Sequence, residues 1–93
     1  MKLRLVPTTK FKKDLKRLKK RGLPLDELYE IIEQLLNLGQ LEPKYRDHAL
    51  TGNYIGFREC HVRPDWLFIY AISEEKLILT ALRSGTHSDL FDE

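Results

Sequence analysis

The chain has 93 residues, of which 42% are hydrophobic and 32% are charged. This length predicts a single small domain over residues 1–93, and the hydrophobic content excludes a disordered chain. No apolar run approaches the roughly 20 residues that span a bilayer, and residues 1–6 lack the apolar stretch of a secretory signal. The one cysteine, Cys60, excludes an internal disulfide. We therefore expect a cytoplasmic protein with no membrane contact.

Charge is distributed unevenly along the chain. Residues 1–23 contain ten Lys or Arg residues and one acidic residue, whereas residues 24–93 contain six and thirteen. The two parts therefore carry formal charges of +9 and −7, although the whole chain carries only +2. A basic segment on a nearly neutral protein is typical of a local binding surface for a polyanion or an acidic partner.

A short strand and a basic helix are predicted at the start of the chain. Residues 2–6 alternate between polar and apolar side chains, as a half-exposed strand does, and Pro7 ends the strand. Residues 10–21 then predict a helix that Thr8 or Thr9 can cap. Eight of these twelve residues are Lys or Arg. Because the apolar stripe is narrow, we expect all eight cations to face solvent; the stripe consists of Phe11, Leu15 and Leu18.

A second helix and a long irregular segment follow. Residues 25–36 carry a broad apolar face at helical spacing, and Gly39 ends the helix. The short link at residues 22–24 predicts that the two helices form an antiparallel hairpin. Residues 40–54 contain proline and glycine and show no regular hydrophobic period, so they predict an irregular segment.

Three strand-like runs complete the fold. Residues 56–63 alternate, residues 67–73 are apolar on both faces like a central strand, and residues 77–83 follow a turn at residues 73–76. The resulting order is β-α-α-β-β-β. It predicts an α+β fold in which the helical hairpin packs on a mainly antiparallel, four-stranded sheet. The sequence leaves open where the first strand joins the sheet.

Strand alternation assigns the side chains of the first and last runs to opposite faces. In residues 57–63, the apolar pair Cys60 and Val62 is expected to face the helices. The other face then carries Phe57, Glu59, His61 and Arg63. In the last run, Arg83 falls on the same face as Leu77, Leu79 and Ala81, so we expect its charge to leave the core at the end of the strand.

The three histidines suggest acid/base chemistry. His48, His61 and His87 lie in three different elements and can meet if the sheet is curved. Cleavage of RNA without a metal needs a base for the 2′-OH, an acid for the departing 5′-oxygen and a cation for the phosphoryl charge. Histidine suits both proton transfers, and arginine can bind two phosphoryl oxygens. An aromatic side chain can stack on an unpaired base, and the basic helix can bind the RNA backbone.

Other chemistries fit the sequence less well. There is no His-Glu-x-x-His or Cys-x-x-Cys motif and no glycine-rich phosphate loop. A zinc site made from the three histidines and Asp65 stays a lesser alternative because their spacing is scattered. Ser84 and Ser88 lack the strand–turn–helix context of a hydrolase nucleophile. We therefore expect no metal and no cofactor.

Three segments carry a family resemblance: residues 45–52 (YRDHALTG), 56–67 (GFRECHVRPDWL) and 83–91 (RSGTHSDLF). Together they resemble the YafQ-like branch of the RelE/ParE superfamily of bacterial toxins, and the similarity extends over nearly the whole chain. The β-α-α-β-β-β order agrees with that fold. The resemblance implies the toxin of a type II toxin–antitoxin system. Such a toxin is an mRNA interferase, a ribosome-dependent endoribonuclease that cuts mRNA in the decoding site.

The resemblance also implies a set of site residues. The catalytic set is His48, His61, Asp65, Arg83 and His87. Among these, His87 is the first choice for proton transfer, with either His61 or His48 as the base. Arg83 stabilises the phosphoryl charge, and Asp65 orients a histidine or transfers a proton itself.

Two aromatic residues and the basic helix complete the predicted substrate contacts. The resemblance implies that Trp66 and Phe91 shape the site or contact RNA. Charge alone assigns ribosomal RNA to the basic helix through Lys10, Lys12, Lys13, Lys16, Arg17 and Lys20.

Two features depart from the family pattern. Arg63 stands where an acidic residue often precedes Pro64, and residues 92–93 (DE) add negative charge next to Phe91.

The implied partners are a cognate antitoxin, the ribosome and mRNA, with operator DNA bound only indirectly through the antitoxin. One alternative is a non-catalytic module of the same fold that acts on a protein such as gyrase. That module would not need three histidines at these motif positions. Another alternative is a ribonuclease that acts on free RNA, which differs only in its independence from the ribosome.

Overall fold

The computed structural model describes residues 2–91, which form three helices and one five-stranded sheet. The helices are α1 (Thr9–Lys20), α2 (Leu25–Leu38) and α3 (His87–Phe91). The strands are β1 (Arg4–Pro7), β2 (His48–Ala49), β3 (Arg58–Arg63), β4 (Trp66–Ser73) and β5 (Ile78–Gly85). The 3₁₀ turns Pro43–Tyr45 and Gly52–Tyr54 lie between α2 and β3. The predicted α+β class is confirmed.

The sheet has the order β1-β5-β4-β3-β2, so the first strand lies beside the last. β1 runs parallel to β5, whereas the pairs β2–β3, β3–β4 and β4–β5 are antiparallel. The predicted count of four strands is wrong, because His48 and Ala49 pair with β3 as a separate strand. A two-residue strand inside an irregular segment has no hydrophobic alternation by which sequence could reveal it.

The caps of the two long helices follow from local sequence. Thr8 caps α1, as predicted: its Oγ1 accepts a hydrogen bond from the backbone N–H of Phe11 at 3.0 Å. The same hydroxyl donates to the carbonyl of Leu82 at 2.8 Å, which ties the start of α1 to β5. Gly39 ends α2 with a φ of 71°, a left-handed conformation that favours glycine.

Helices α1 and α2 cover one face of the sheet and enclose the main hydrophobic core with it. Cys60 and Val62 pack into this core, so their predicted orientation toward the helices is confirmed. Burial raises the pKa of the Cys60 thiol above its ordinary value, which keeps the thiol uncharged and unreactive. The other face, here called the open face, carries a smaller cluster formed by Leu67, Ile69 and Leu90.

Two β-bulges change the faces that simple alternation predicts. In β3, His61 pairs with Leu67 but Arg63 pairs with Trp66, so one residue is extra. The prediction that Arg63 shares a face with His61 is therefore wrong. Arg63 instead binds Glu27 of α2 through two hydrogen bonds of 2.9 and 2.8 Å.

The second bulge lies in β5. Ala81 pairs with Tyr70 and Arg83 pairs with Ile69, which leaves Leu82 as the extra residue. Arg83 therefore does not follow the face of Leu79 and Ala81, as alternation predicted. It lies opposite Ile69, a residue of the open face.

Candidate active site

Two rows of residues cross the open face of the sheet. Strand pairing places His48, Glu59, Ile69 and Arg83 side by side on β2, β3, β4 and β5. The adjacent row consists of His61, Leu67 and Gly85. Because neighbouring strands lie about 4.8 Å apart, Arg83 is two strands, or about 10 Å, from Glu59.

The three histidines come together on this face. The ring centres of His48 and His61 are 6.3 Å apart, and those of His61 and His87 are 6.2 Å apart. His87 reaches the group because α3 begins directly after the second row, two residues beyond Gly85. His61 is therefore the central ring of a line of three imidazoles.

Glu59 lies between His48 and His61, and sequence reasoning did not select it. Its Oε2 is 3.2 Å from Nε2 of His48 and 4.0 Å from Nε2 of His61, and its side chain is only 8% exposed. Alternation did place Glu59 on the face of His61. Its contact with His48 was missed because it depends on β2, a strand that the sequence does not reveal.

The opposite nitrogen of each of these two rings faces a backbone carbonyl. Nδ1 of His48 lies 2.9 Å from the carbonyl of Arg46, and Nδ1 of His61 lies 3.2 Å from that of Pro64. A carbonyl can only accept, so Nδ1 carries the hydrogen and Nε2 is the nitrogen that exchanges protons. A neutral Nε2 and a carboxylate would both be acceptors. The contact between His48 and Glu59 is therefore favourable only when the pair holds an additional proton.

His87 is oriented by Asp65. One carboxylate oxygen, Oδ1, lies 2.6 Å from Nδ1 of His87 and accepts the backbone N–H of His87 at 3.0 Å. Both hydrogen bonds, first the backbone one and then the one from the ring, lower the pKa of Asp65 below its ordinary value. The ionised carboxylate holds the hydrogen on Nδ1, which turns Nε2 of His87 outward.

Arg83 is bound to a carboxylate that sequence reasoning also missed. Asp14 of α1 is 2% exposed and accepts from Nε and Nη2 of Arg83 at 2.8 and 3.1 Å. This hydrogen bonding raises the pKa of Arg83 above its ordinary value. A signal was present: Asp14 is the one acid among the cations of α1, and it follows Phe11 by three residues, on the buried side.

The two predicted aromatic contacts differ. Trp66 is 2% exposed within the main core, and its Nε1–H donates to Oγ of Ser84 at 3.0 Å. Because its ring is covered by protein, the predicted contact with RNA does not fit Trp66, whereas the other predicted role, shaping the site, stays a prediction. Phe91 is only partly buried and lies beside Tyr54 and His87, with ring centres 5.6 and 6.4 Å away. Residues 92–93, which add charge next to Phe91, lie outside the described residues.

The basic helix is exposed at Lys10, Lys12, Lys13, Lys16 and Lys20. The expectation that all its cations face solvent is wrong for Arg17, which is partly buried and donates to Asp14 at 2.7 Å. At the end of the helix, Arg21 binds Asp89 of α3 through hydrogen bonds of 2.7 and 3.0 Å. The pKa of Asp89 lies well below its usual range, mainly because of these hydrogen bonds from Arg21.

Two kinds of feature are absent from residues 2–91. In this part of the chain no three or more histidine, cysteine or carboxylate side chains are grouped as a metal site would require. The same residues include no helix that is both long and apolar enough to cross a membrane.

Several known proteins are similar to this chain in both fold and sequence. The DinJ–YafQ toxin–antitoxin complex of Escherichia coli contains a chain that matches with a TM-score of 0.88 and 33% identity, covering 98% of this chain and 99% of that one. A metal-bound toxin from Helicobacter pylori matches with a TM-score of 0.88 and 44% identity, covering 96% and 99%. The mRNA interferase toxin YafQ of Escherichia coli strain K12 is 37% identical over 82 residues, which is 87% of each chain.

The fold and these similarities together define a small bacterial toxin of a type II toxin–antitoxin system. Within that class, the chain belongs to the YafQ toxin family, which matches residues 3–92. The family resemblance that the sequence motifs indicated is confirmed.

Proposed function

We propose that this toxin is a ribosome-dependent endoribonuclease, an mRNA interferase that cleaves mRNA in the decoding site. One observation carries the proposal: three histidines meet the carboxylates of Glu59 and Asp65, and two members of this group, His48 and Glu59, lie in the same row as Arg83. Such groups can accept and donate protons beside a cation, which is what RNA cleavage by its own 2′-OH requires. The name of the Escherichia coli relative supports the same activity.

The proposed reaction is an in-line attack of the 2′-oxygen on the adjacent phosphorus. The 2′-OH proton passes to the cluster of His48, Glu59 and His61, and the bond from phosphorus to the 5′-oxygen breaks. The doubly protonated ring of His87, whose Nδ1–H is held by Asp65, donates its Nε2 proton to the departing 5′-oxygen and becomes neutral. The products are a 2′,3′-cyclic phosphate and a free 5′-OH, so no step needs a metal or a cofactor.

Arg83 is proposed to stabilise the charge that develops on the phosphoryl oxygens. It lies in the row of Glu59, two strands away, on the strand that leads to His87, and this position supports a role beside the proton-transfer groups. Phe91, next to His87, offers the exposed part of its ring to a base of the mRNA. Trp66 is proposed to contribute only from the helix-covered face of the sheet, where it packs in the main core and donates to Ser84 of β5.

The exposed lysines of α1 are proposed to bind ribosomal RNA. Lysines that extend from a helix into solvent suit the phosphate backbone, which is recognised through charge rather than sequence. The salt bridge from Arg21 to Asp89 fixes the end of this helix to α3, which carries His87 and Phe91. Docking and chemistry are thus proposed to lie on adjoining parts of one rigid unit.

A cognate antitoxin is the proposed protein partner, because the Escherichia coli relative has been solved in a DinJ–YafQ toxin–antitoxin complex. Operator DNA is proposed to be bound only through that antitoxin. The ribosome and mRNA place the site of action in the cytoplasm. The gyrase-directed alternative gives no reason for the contacts among the histidines, Glu59 and Asp65.

Toeprinting of translated mRNA with the purified toxin tests this function. We expect new 3′ ends within the decoding site on programmed ribosomes and none on the same mRNA without ribosomes. His87→Ala should keep its melting temperature, lose about 10²–10⁴-fold in cleavage rate and relieve growth arrest. Toxin treated with EDTA and then freed of the chelator should cleave normally. Inhibition of DNA gyrase with mRNA left intact would instead support the binding-module alternative.

A further inference from the structure

The buried carboxylate of Asp14 accepts four hydrogen bonds. Its Oδ2 accepts from Nε of Arg83 at 2.8 Å and from the backbone N–H of Ser84 at 3.0 Å. Its Oδ1 accepts from Nη2 of Arg83 at 3.1 Å and from Nη2 of Arg17 at 2.7 Å. Four donors fill the four acceptor positions of one carboxylate. The group is therefore fixed in place from both α1 and β5.

We propose that Asp14 is the positioning residue for Arg83 in the cleavage reaction, an inference that rests on the proposed function. A guanidinium has five N–H groups on a planar frame, and Asp14 uses the two on the side that includes Nε. The other side keeps three N–H groups. Two of these, one on each Nη nitrogen, can still bind two phosphoryl oxygens at once. Asp14 thus presents the far side of Arg83 to the substrate.

The charge of this cluster also suits an anionic ligand. Two arginines, Arg17 and Arg83, share the single carboxylate of Asp14, so the three groups retain one positive charge. Nε of Arg17 is buried and has no hydrogen-bond partner among the described residues. The Arg17 side chain is 40% exposed, so part of this positive charge can be reached by an anion from solvent.

The arrangement connects the docking helix to the chemical site. Asp14 belongs to α1, the helix whose lysines are proposed to bind ribosomal RNA, and Arg83 belongs to β5. Contacts of the Asp14 carboxylate with the Arg83 side chain and the Ser84 backbone join the two elements at one point. A shift of α1 would therefore move the guanidinium as well.

A double-mutant cycle tests the proposal, with single-turnover cleavage on programmed ribosomes as the readout. If Asp14 acts through Arg83, Asp14→Asn lowers kcat by about 10–100-fold in the wild-type background. In the Arg83→Ala background it changes kcat less than about twofold, with ribosome affinity unchanged in both. An equal loss in both backgrounds, or no loss in the wild type, would overturn the proposal. Glu27→Gln is the matched control, because it breaks the exposed pair with Arg63 by the same change of carboxylate to amide.

Two more measurements keep the proposal testable if Asp14→Asn folds poorly. Asp14→Ala leaves a space for a carboxylate, so added formate should restore part of the cleavage, whereas His87→Ala should gain nothing. NMR of the Arg83 Nε–H gives a readout without RNA. That proton should exchange slowly with solvent in the wild type and rapidly in both Asp14 variants. Unchanged exchange would refute the positioning role, whereas slow exchange in a wild-type protein that cleaves no RNA would refute only the proposed function.

Discussion

At the scale of single residues, the direction of each imidazole is set by a neighbour. His48 and His61 are fixed by backbone carbonyls, and His87 by the Asp65 carboxylate. The motifs identified the three rings and the Asp65 carboxylate, but not the two backbone carbonyls. A carbonyl that lies near a ring leaves no trace in residue type, and the role of Glu59 depended on an unpredicted strand. The burial of Asp14, in contrast, was predictable, because its spacing from Phe11 places it on the buried side of α1.

Asp65→Asn tests whether the carboxylate sets the tautomer of His87. The amide can present its N–H₂ to Nδ1, which would then accept and leave the hydrogen on Nε2. We expect a loss of about 10²-fold or more in kcat, with little change in ribosome affinity or melting temperature. Cleavage at the wild-type rate would show that His87 needs no carboxylate to orient it.

Arg83→Lys tests the need for a planar group. A lysine ammonium has its three N–H donors on one nitrogen, so it cannot make two parallel hydrogen bonds to Asp14 and two more to the phosphoryl group as the planar guanidinium does. We expect kcat to fall by about 10²-fold although the charge is kept. The measurement is single-turnover cleavage, with Arg63→Lys as the control for an arginine paired on the opposite side of the sheet. Equal rates for Arg83→Lys and the wild type would mean that charge alone is sufficient.

At the scale of elements, α1 and α3 carry the residues proposed for docking and for chemistry, and the Arg21–Asp89 pair joins them. The amphipathic pattern of α1 and its cap were predictable, because both are local signals. The bulges in β3 and β5 were not, because an extra residue in a strand shows only when the partner strand is known. The position of α3 also explains why residue 85 is a glycine. A Cβ at that position would lie 2.8 Å from Oδ2 of Asp89, so only glycine allows α3 to turn back so closely.

Reversal of charge on the exposed side of α1 should separate docking from catalysis. Changing Lys12, Lys13, Lys16 and Lys20 to Glu leaves the buried side of the helix intact. Each lost phosphate contact lowers the salt-dependence slope of binding by about 0.7–0.9. We expect weaker and less salt-sensitive ribosome association, and cleavage that recovers at high toxin concentration.

The matched control for this reversal is Lys76→Glu, an exposed lysine at the turn between β4 and β5. It should leave ribosome association unchanged. If the fourfold variant binds the ribosome with the wild-type affinity and salt slope, the lysines of α1 do not form the docking surface.

At the scale of the whole molecule, acid should loosen the attachment of α3. Asp89 accepts from Arg21 and from the backbone N–H of Thr86, while its own N–H donates to Oγ1 of Thr86 at 3.1 Å. Because the pKa of Asp89 is lowered in the folded state, its contribution to stability is complete above the ordinary aspartate value, about 3.9. It is lost as pH falls from there through the lower folded value.

Asp89→Asn should therefore lower the free energy of unfolding by about 1 kcal/mol at pH 7. It should also weaken the pH dependence of stability below about pH 4. Denaturant unfolding at several pH values gives the comparison. Parallel curves for the wild type and the variant down to about pH 2 would show that Asp89 does not contribute in this way.

The neighbouring position of β1 and β5 has a consequence for synthesis. The parallel pairing joins residues 4–7 to residues 78–81, and the Thr8 hydroxyl binds the carbonyl of Leu82, 74 positions away. Synthesis begins at the N-terminus, so β1 cannot pair with β5, and α1 cannot be anchored to β5, until nearly all of the chain has been made. His87 and Phe91 come later still. Under the proposed function, the toxin therefore gains its activity only when its synthesis is nearly complete, and an antitoxin present by then can bind each new molecule as it folds.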